Sequence, residues 1–208
     1  MTLGLFPLNL VLFPESQLPL HIFEPRYRTL IRECWEGGLE FGINLVDQGH
    51  LHPVGCRAKV AEITEEFDDG RMDIIVVGTG RYRVLEVNES SRPYVVGEVE
   101  NVDDDEYPVD HTLAADCSVL YNQIVELVYG ADYPTMHPEM MAGGLPSFLM
   151  APKAGLSTDQ KQHLLELTSE NQRLEMLRDH LAEIVPTIRR ADVHQRIIQS
   201  DGYLPATE

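Results

Sequence analysis

The chain predicts an α+β fold: a small, sharply curved β structure with one inserted helix, then a helical part ending in a long helix. Three observations lead there. Prolines interrupt the short apolar segments of residues 1–28, β-patterned segments continue to Val102, and beyond an acidic stretch the apolar spacing turns helical.

Phe6-Pro7-Leu8, Leu12-Phe13-Pro14 and Leu18-Pro19-Leu20-His21-Ile22 read as strand segments carrying prolines. Proline cannot donate to a β-ladder, so each marks a strand end, an edge or a bulge. Strands redirected this often suit a curved barrel better than a flat sheet. Glu24-Pro25 then opens a helix with proline at its first position, Tyr27, Leu30, Ile31 and Cys34 form its apolar stripe, and Gly37-Gly38 ends it. Leu39 to Val46 alternates as a strand, and Val54 to Ile63 is a second, with Gly55 and Ala58 suited to close backbone approach. Asp68-Asp69-Gly70 supplies a hairpin turn. Met72 to Val77 reads as a strand buried on both faces, Gly78-Thr79-Gly80 breaks it, and Arg81 to Val87 resumes with Tyr82, Val84 and Leu85 inward. Pro93 to Val102 is the last strand.

Val102-Asp103-Asp104-Asp105-Glu106-Tyr107-Pro108 is an acidic, solvated connector that divides a β-rich domain, 1–107, from a helical subdomain, 108–208. Leu113, Cys117, Leu120, Ile124 and Leu127 mark a helix closing at Gly130. Prolines 134, 138, 146 and 152 limit the next stretch to short helices. Ser157 to Gln160 is a capping box. The long helix after it carries Leu164, Leu167, Leu174, Leu177, Leu181 and Ile184, holds a partly exposed Asn171, and stops before Pro186. A short helix over Thr187 to Ser200 places Ile188, Val193, Ile197 and Ile198 either back on the domain or against another copy of the chain in a homo-oligomer; the last eight residues fray.

The proline-rich opening resembles that of the amino-terminal, substrate-recognition domain of Lon proteases, stand-alone members in particular. Gly55 with Ala58, then Asp69-Gly70, Ile75-Val76-Val77-Gly78 and Gly80-Arg81-Tyr82-Arg83 follow in that family's order. Lys161 to Glu166 with Asn171 to Leu177 is similar to its helical end. The resemblance spans roughly residues 3 to 185 and implies a PUA-like β pseudo-barrel of about six strands. It also implies a module linked to protein quality control and proteolysis, which binds unfolded or degron-bearing polypeptides for a separate protease or chaperone.

Composition bounds the chemistry. Apolar residues make up 43% and charged residues 24% of 208, as in soluble globular proteins. No apolar run approaches the ~20 residues that span a bilayer. The start lacks the basic residues of a secretory signal and meets Glu15 early, so the chain is expected in the cytoplasm, away from membranes. Cys34, Cys56 and Cys117 match neither a disulfide framework nor a metal-ligand motif; Cys34 and Cys117 read as buried hydrophobes. The net charge of −18 repels polyanions and argues against nucleic acid, the one local basic patch being Arg81-Tyr82-Arg83.

Catalytic readings find little support. The lysines, Lys59, Lys153 and Lys161, lie in no phosphate-cradling loop. Ser118 and Lys161 are the one pair reminiscent of a serine–lysine dyad, but Ser118 sits inside an amphipathic helix and Lys161 in an exposed first turn, whereas a lysine base needs burial. His50 and His52 lack a third ligand, while His163, His180 and His194 occupy polar helix positions. Asp103 to Glu106 lacks the glycine turn of a calcium loop, Gly78-Thr79-Gly80 lacks the third glycine of a dinucleotide site, and His21 reads as a structural residue. The expectation is a non-enzyme without cofactor, metal or catalytic residues. It binds peptide at micromolar-scale affinity in a cleft between barrel and helical lobe, by strand addition and apolar pockets. Phe13, Leu20, Ile22 and Phe23 are candidate anchors but read more readily as core, so the binding residues stay unassigned. The alternatives are an ATP-independent serine peptidase using Ser118 and a PUA-like RNA or small-ligand module.

Overall fold

The computed structural model describes residues 1–88, 91–105, 108–130, 132–141 and 144–201, with the side chains of 138, 141 and 191–201 left aside. The strands are β1 (Thr2–Leu8), β2 (Gln17–Ile22), β3 (Phe41–Asp47), β4 (His50–Leu51), β5 (Val54–Glu66), β6 (Met72–Asn88) and β7 (Val96–Asn101). The helices are α1 (Pro25–Gly37), α2 (His111–Tyr129), α3 (Pro138–Met141), α4 (Pro146–Met150), α5 (Thr158–Glu166) and α6 (Glu170–Asp201), with a 3₁₀ turn at Ala151–Lys153. These elements form two compact units, Met1–Glu106 with Gly155–Ser169, and Tyr107–Ala154 with Glu170–Glu208. A boundary at residue 107 would leave 155–169 with the helices. That segment groups instead with the strands, where the Gln162 amide donates to the Val54 carbonyl at 3.0 Å.

In the first unit β1, β7, β6, β5 and β3 pair in that order, and a parallel β1–β3 ladder returns the path to its start. The other pairings are antiparallel; β2 adds to β6 and β4 to β3 outside that path. The result is a mixed seven-stranded sheet that is not a clean barrel. Phe6, Ile31, Phe41, Ile43, Ile74 and Val76 meet in its main core, and Leu3, Leu5, Tyr82 and Val99 form a second. Helix α1 begins at Pro25, buries Tyr27, Leu30, Ile31 and Cys34, and ends with Gly38 in the left-handed region, φ 61°.

The sequence reading of β6 needs two corrections. The strand does not break at Gly78-Thr79-Gly80. Gly78 pairs with Ala58 and Gly80 with Arg57, so Thr79 is an extra residue taken up by a bulge. Leu85 is likewise the extra residue between Val84 and Glu86 opposite β7; out of the pleat's alternation, it is 56% exposed rather than inward.

In the second unit the Asp110 carboxylate caps α2, accepting from the Thr112 and Leu113 N–H groups. Helices α2 and α6 bury Ile124, Val125, Leu174, Leu177 and Leu181, and the Cys117 thiol donates to the Leu174 carbonyl at 3.1 Å. The buried Glu170 carboxylate accepts from Ser147 N–H at 2.8 Å, Ser147 Oγ at 2.6 Å and Arg173 Nη2 at 2.7 Å, joining α4 to α6.

The helix expected from Ser157 to Ile184 is two helices. The Ser157 capping box forms, but Leu167 turns extended. The Arg81 guanidinium donates to the Leu165 and Leu167 carbonyls at 2.8 and 2.5 Å, and Asp105 N–H to the Thr168 carbonyl at 2.9 Å. These donors replace the bonds a continued helix would make. Nor does α6 stop before Pro186; it runs through it. Its buried stripe extends to Val185, holding the helix where proline removes one N–H. The region read as a separate short helix is α6 itself, while the side chains of Val193, Ile197 and Ile198, and residues 202–208, lie outside the described residues.

Candidate functional site

A groove in the first unit lies between two strand edges that do not pair with each other. Leu5 N–H donates to the Val95 carbonyl at 2.8 Å, so Leu5 and Pro7 present their backbone groups on that side of β1, away from β3. The β7 ladder covers only Thr2 to Gly4, leaving the edge at Pro7 open. In β2, Gly78 N–H donates to the Ser16 carbonyl, and the register continues through Leu18–Val76, Leu20–Ile74 and Ile22–Met72. Gln17, Pro19 and His21 therefore face away from β6. Both open edges carry proline where an N–H would otherwise be left without a partner. Those prolines sit where a strand tolerates them and leave the edges poor templates for strand addition.

Between the edges is a hollow of about 190 Å³. Phe6, Leu8, Leu20 and Ile22 give it apolar walls, and Tyr27 closes one end beneath the Arg26 guanidinium, 4.5 Å from the ring centroid. Burial raises the Tyr27 phenol pKa above its ordinary value, an effect that Arg26 opposes and Glu24 reinforces. At the rim Phe23 is 60% exposed, stacked on His21 at 6.2 Å, and His21 meets the edge of Phe67 at 5.9 Å. His21 is fixed by Asp73, Nδ1 to Oδ1 2.5 Å. An exposed aromatic at the mouth of an apolar hollow is a surface suited to receiving an apolar side chain.

Of the four candidate anchors, Phe13 is buried core away from the groove, Ile22 is a buried wall of it, and Leu20 and Phe23 belong to its more open part. The prolines were the visible signal. What a sequence pattern leaves out is that β1 and β2 open onto one hollow.

A larger cavity of about 640 Å³ is bordered by β1, α1 and residues 92–96. Its polar groups are already engaged with one another: Tyr94 Oη donates to Glu33 at 2.6 Å, Arg92 to the same carboxylate at 2.8 Å, and Lys59 lies 3.9 Å from Glu40. Of the groups weighed for catalysis, several have structural partners. Ser118 Oγ donates to the Ala115 carbonyl of its own helix at 2.8 Å, and Lys161, half-buried rather than exposed, stands in α5 of the other unit. His50 and His52 rings are 5.7 Å apart, with Glu166 3.9 Å from His52. His180 contacts the Ala154 carbonyl at 3.1 Å. The Arg81-Tyr82-Arg83 triplet is no basic patch, since Arg81 is buried on carbonyls and Asp104, Tyr82 is core, and Arg83 lies 3.8 Å from Glu100. No helix among the described residues is long and apolar enough to cross a membrane.

Comparison with known proteins agrees with this architecture. The family described as the ATP-dependent protease La (LON) substrate-binding domain matches residues 2–183. A Lon protease from Desulfosudis oleivorans is 23% identical over 204 residues, 92% of this chain but 25% of that protein, so the chain spans about a quarter of its length. The crystal structure of a Lon N-terminal domain protein from Xanthomonas campestris superimposes with a TM-score of 0.63 at 28% identity, covering 85% of this chain and 96% of that one. The N-terminal domain of a Mycobacterium avium complex Lon protease shares the fold, with a TM-score of 0.69 at 17% identity over 88% and 98% of the two chains.

Proposed function

We propose a function from one premise: this chain belongs to the LON substrate-binding domain family. It is a non-catalytic polypeptide-recognition module of cytoplasmic protein quality control, which binds unfolded or degron-bearing segments and delivers them to proteolysis. The observation that carries this reading is the groove, an apolar hollow open to solvent with Phe23 exposed at its mouth. Burying one client aromatic there contributes about 1.5–3 kcal/mol, so a single anchor gives weak binding and several contacts together bring it to the micromolar scale. Weak, reversible capture suits a module that must pass its client on. The expected absence of catalysis rests on the missing phosphate loop and on Ser118 donating within its own helix.

Titrating a fluorescently labelled, permanently unfolded protein tests this by anisotropy. Saturable binding is expected, with affinity falling about tenfold or more in Phe23→Ala while its melting temperature stays put. Binding that ignores Phe23→Ala and Leu20→Ala would remove the groove from the account. Casein incubated with the protein should stay intact, and cleavage abolished by Ser118→Ala would replace recognition with peptidase chemistry.

A further inference from the structure

The size of the groove and the charge around it narrow what it accepts, a step that rests on the polypeptide-binding reading. The hollow holds about 190 Å³, less than the about 300–1,000 Å³ of pockets that enclose small-molecule ligands. It has room for one large side chain, not for a continuous apolar stretch. At the Tyr27 end the charges balance, Arg26 pairing with Glu24 at 2.8 Å, while the β5–β6 side is acidic. Residues 59–77 carry six carboxylates against Lys59 and Arg71. Arg32 takes Glu66 at 2.5 Å and Arg71 takes Asp69 at 2.7 Å, while Glu62, Glu65 and Asp68 remain exposed. The β2–β6–β5 register sets His21, Asp73 and Glu65 in one row, so Asp73 stands one strand and Glu65 two strands, about 10 Å, behind the rim, and the His21–Phe67 contact brings the turn that carries Asp68 to the same end. At −18 the whole chain extends the same sign. Opposite charge on a partner speeds encounter and like charge opposes it.

We infer that the groove selects polypeptide segments in which one bulky apolar side chain neighbours Lys or Arg, and disfavours the same side chain set between carboxylates. Labelled peptides with a single central Phe in a Gly-Ser background, flanked by Lys, Gln or Glu, test this by anisotropy at about 20 mM and about 500 mM NaCl. At low salt the Lys-flanked peptide should bind about tenfold tighter than the Glu-flanked one, with Gln between and the gap nearly closed at high salt. Replacing Phe by Gly in the Lys-flanked peptide should abolish most of its binding. The triple variant E62Q/E65Q/D68N should shrink the charge preference without changing affinity for the Gln-flanked peptide. Equal affinity for all three flanks, with the Gln-flanked peptide bound, overturns the charge selection and leaves the polypeptide-binding reading standing. A preference that persists in the triple variant removes it from this rim. A Gly-substituted peptide bound as well as its parent removes the anchor pocket. If none of these single-anchor peptides binds at millimolar concentration while the unfolded protein does, the charge-selecting anchor falls and the polypeptide-binding reading stands; if the unfolded protein fails to bind as well, both fall.

Discussion

Arg173, fully buried, donates through Nε to Ser147 Oγ at 2.9 Å and stacks its guanidinium 4.3 Å from the centroid of the Phe148 ring, while Nη2 holds Glu170. Removing one partner of such a pair strands a charge in a low-dielectric interior. Arg173→Met is therefore expected to destabilise by about 3–5 kcal/mol, and Arg173→Met with Glu170→Gln by clearly less than the two single losses added. Urea denaturation of the four proteins gives both numbers, and simple additivity would deny the coupling. The buried thiols act through pH instead. Burial pushes Cys56 and Cys117 up to about 12 and Cys34 to about 11 from an ordinary 9.0, and lifts Tyr82 well above 10.0. Groups held neutral in the fold ionise first in the unfolded chain. Their contribution is thus complete below the unfolded values and declines as pH rises toward the folded ones. Stability should be flat up to about pH 8 and fall steadily above about pH 9. At pH 8 a disulfide reagent should modify the thiols only once urea unfolds the chain; rapid labelling of the native protein would contradict their burial.

Among the elements, β6 separates what could be read in the sequence from what could not. Helix α1 was legible because its signals are local: Pro25 at the first position, four apolar residues on one face, Gly38 at the end. The Ser157 capping box was legible for the same reason. Gly78 and Gly80 read as a break because glycine says only that a side chain is absent, not what occupies its place. A Cβ on Gly78 would stand 2.2 Å from the Phe13 carbonyl oxygen, whereas one on Gly80 would meet nothing within 4 Å. Gly78→Ala should therefore cost about 1–3 kcal/mol by displacing the turn before β2, while Gly80→Ala should stay within about 0.5 kcal/mol of the parent. Equal effects on the urea midpoint would mean that the approach of Phe13 does not constrain β6. The end of α5 was hidden in the same way. Arg81 lies some eighty positions upstream of the carbonyls it takes, and no window of sequence brings them together. Half of the groove was visible, as prolines on edge strands; the neighbourhood of β1 and β2 emerges only from pairings with β3 and β6.

For the whole molecule the dominant quantity is the excess of 34 acidic over 16 basic residues, a net charge of −18 at neutral pH. Ion pairs such as Arg32–Glu66, about half exposed on both sides, add little individually. Repulsion among the surplus carboxylates opposes compactness at every separation within a Debye length, about 30 Å at 0.01 M salt and about 8 Å at 0.15 M. The two contributions respond to salt with opposite signs: screening weakens exposed pairs and relieves net repulsion. With so large an imbalance the second effect should dominate. Raising NaCl from about 10 to about 150 mM at pH 7.5 should lift the melting temperature by about 2–4 °C, which for a chain of this size corresponds to roughly 1 kcal/mol. Sodium sulfate is the wrong salt for the measurement, because its exclusion from protein surfaces stabilises folds regardless of charge. A melting temperature that falls with NaCl would mean that the ion pairs outweigh the surplus. The same electrostatic excess would then be too weak at the groove's rim to sort clients by their flanking charge.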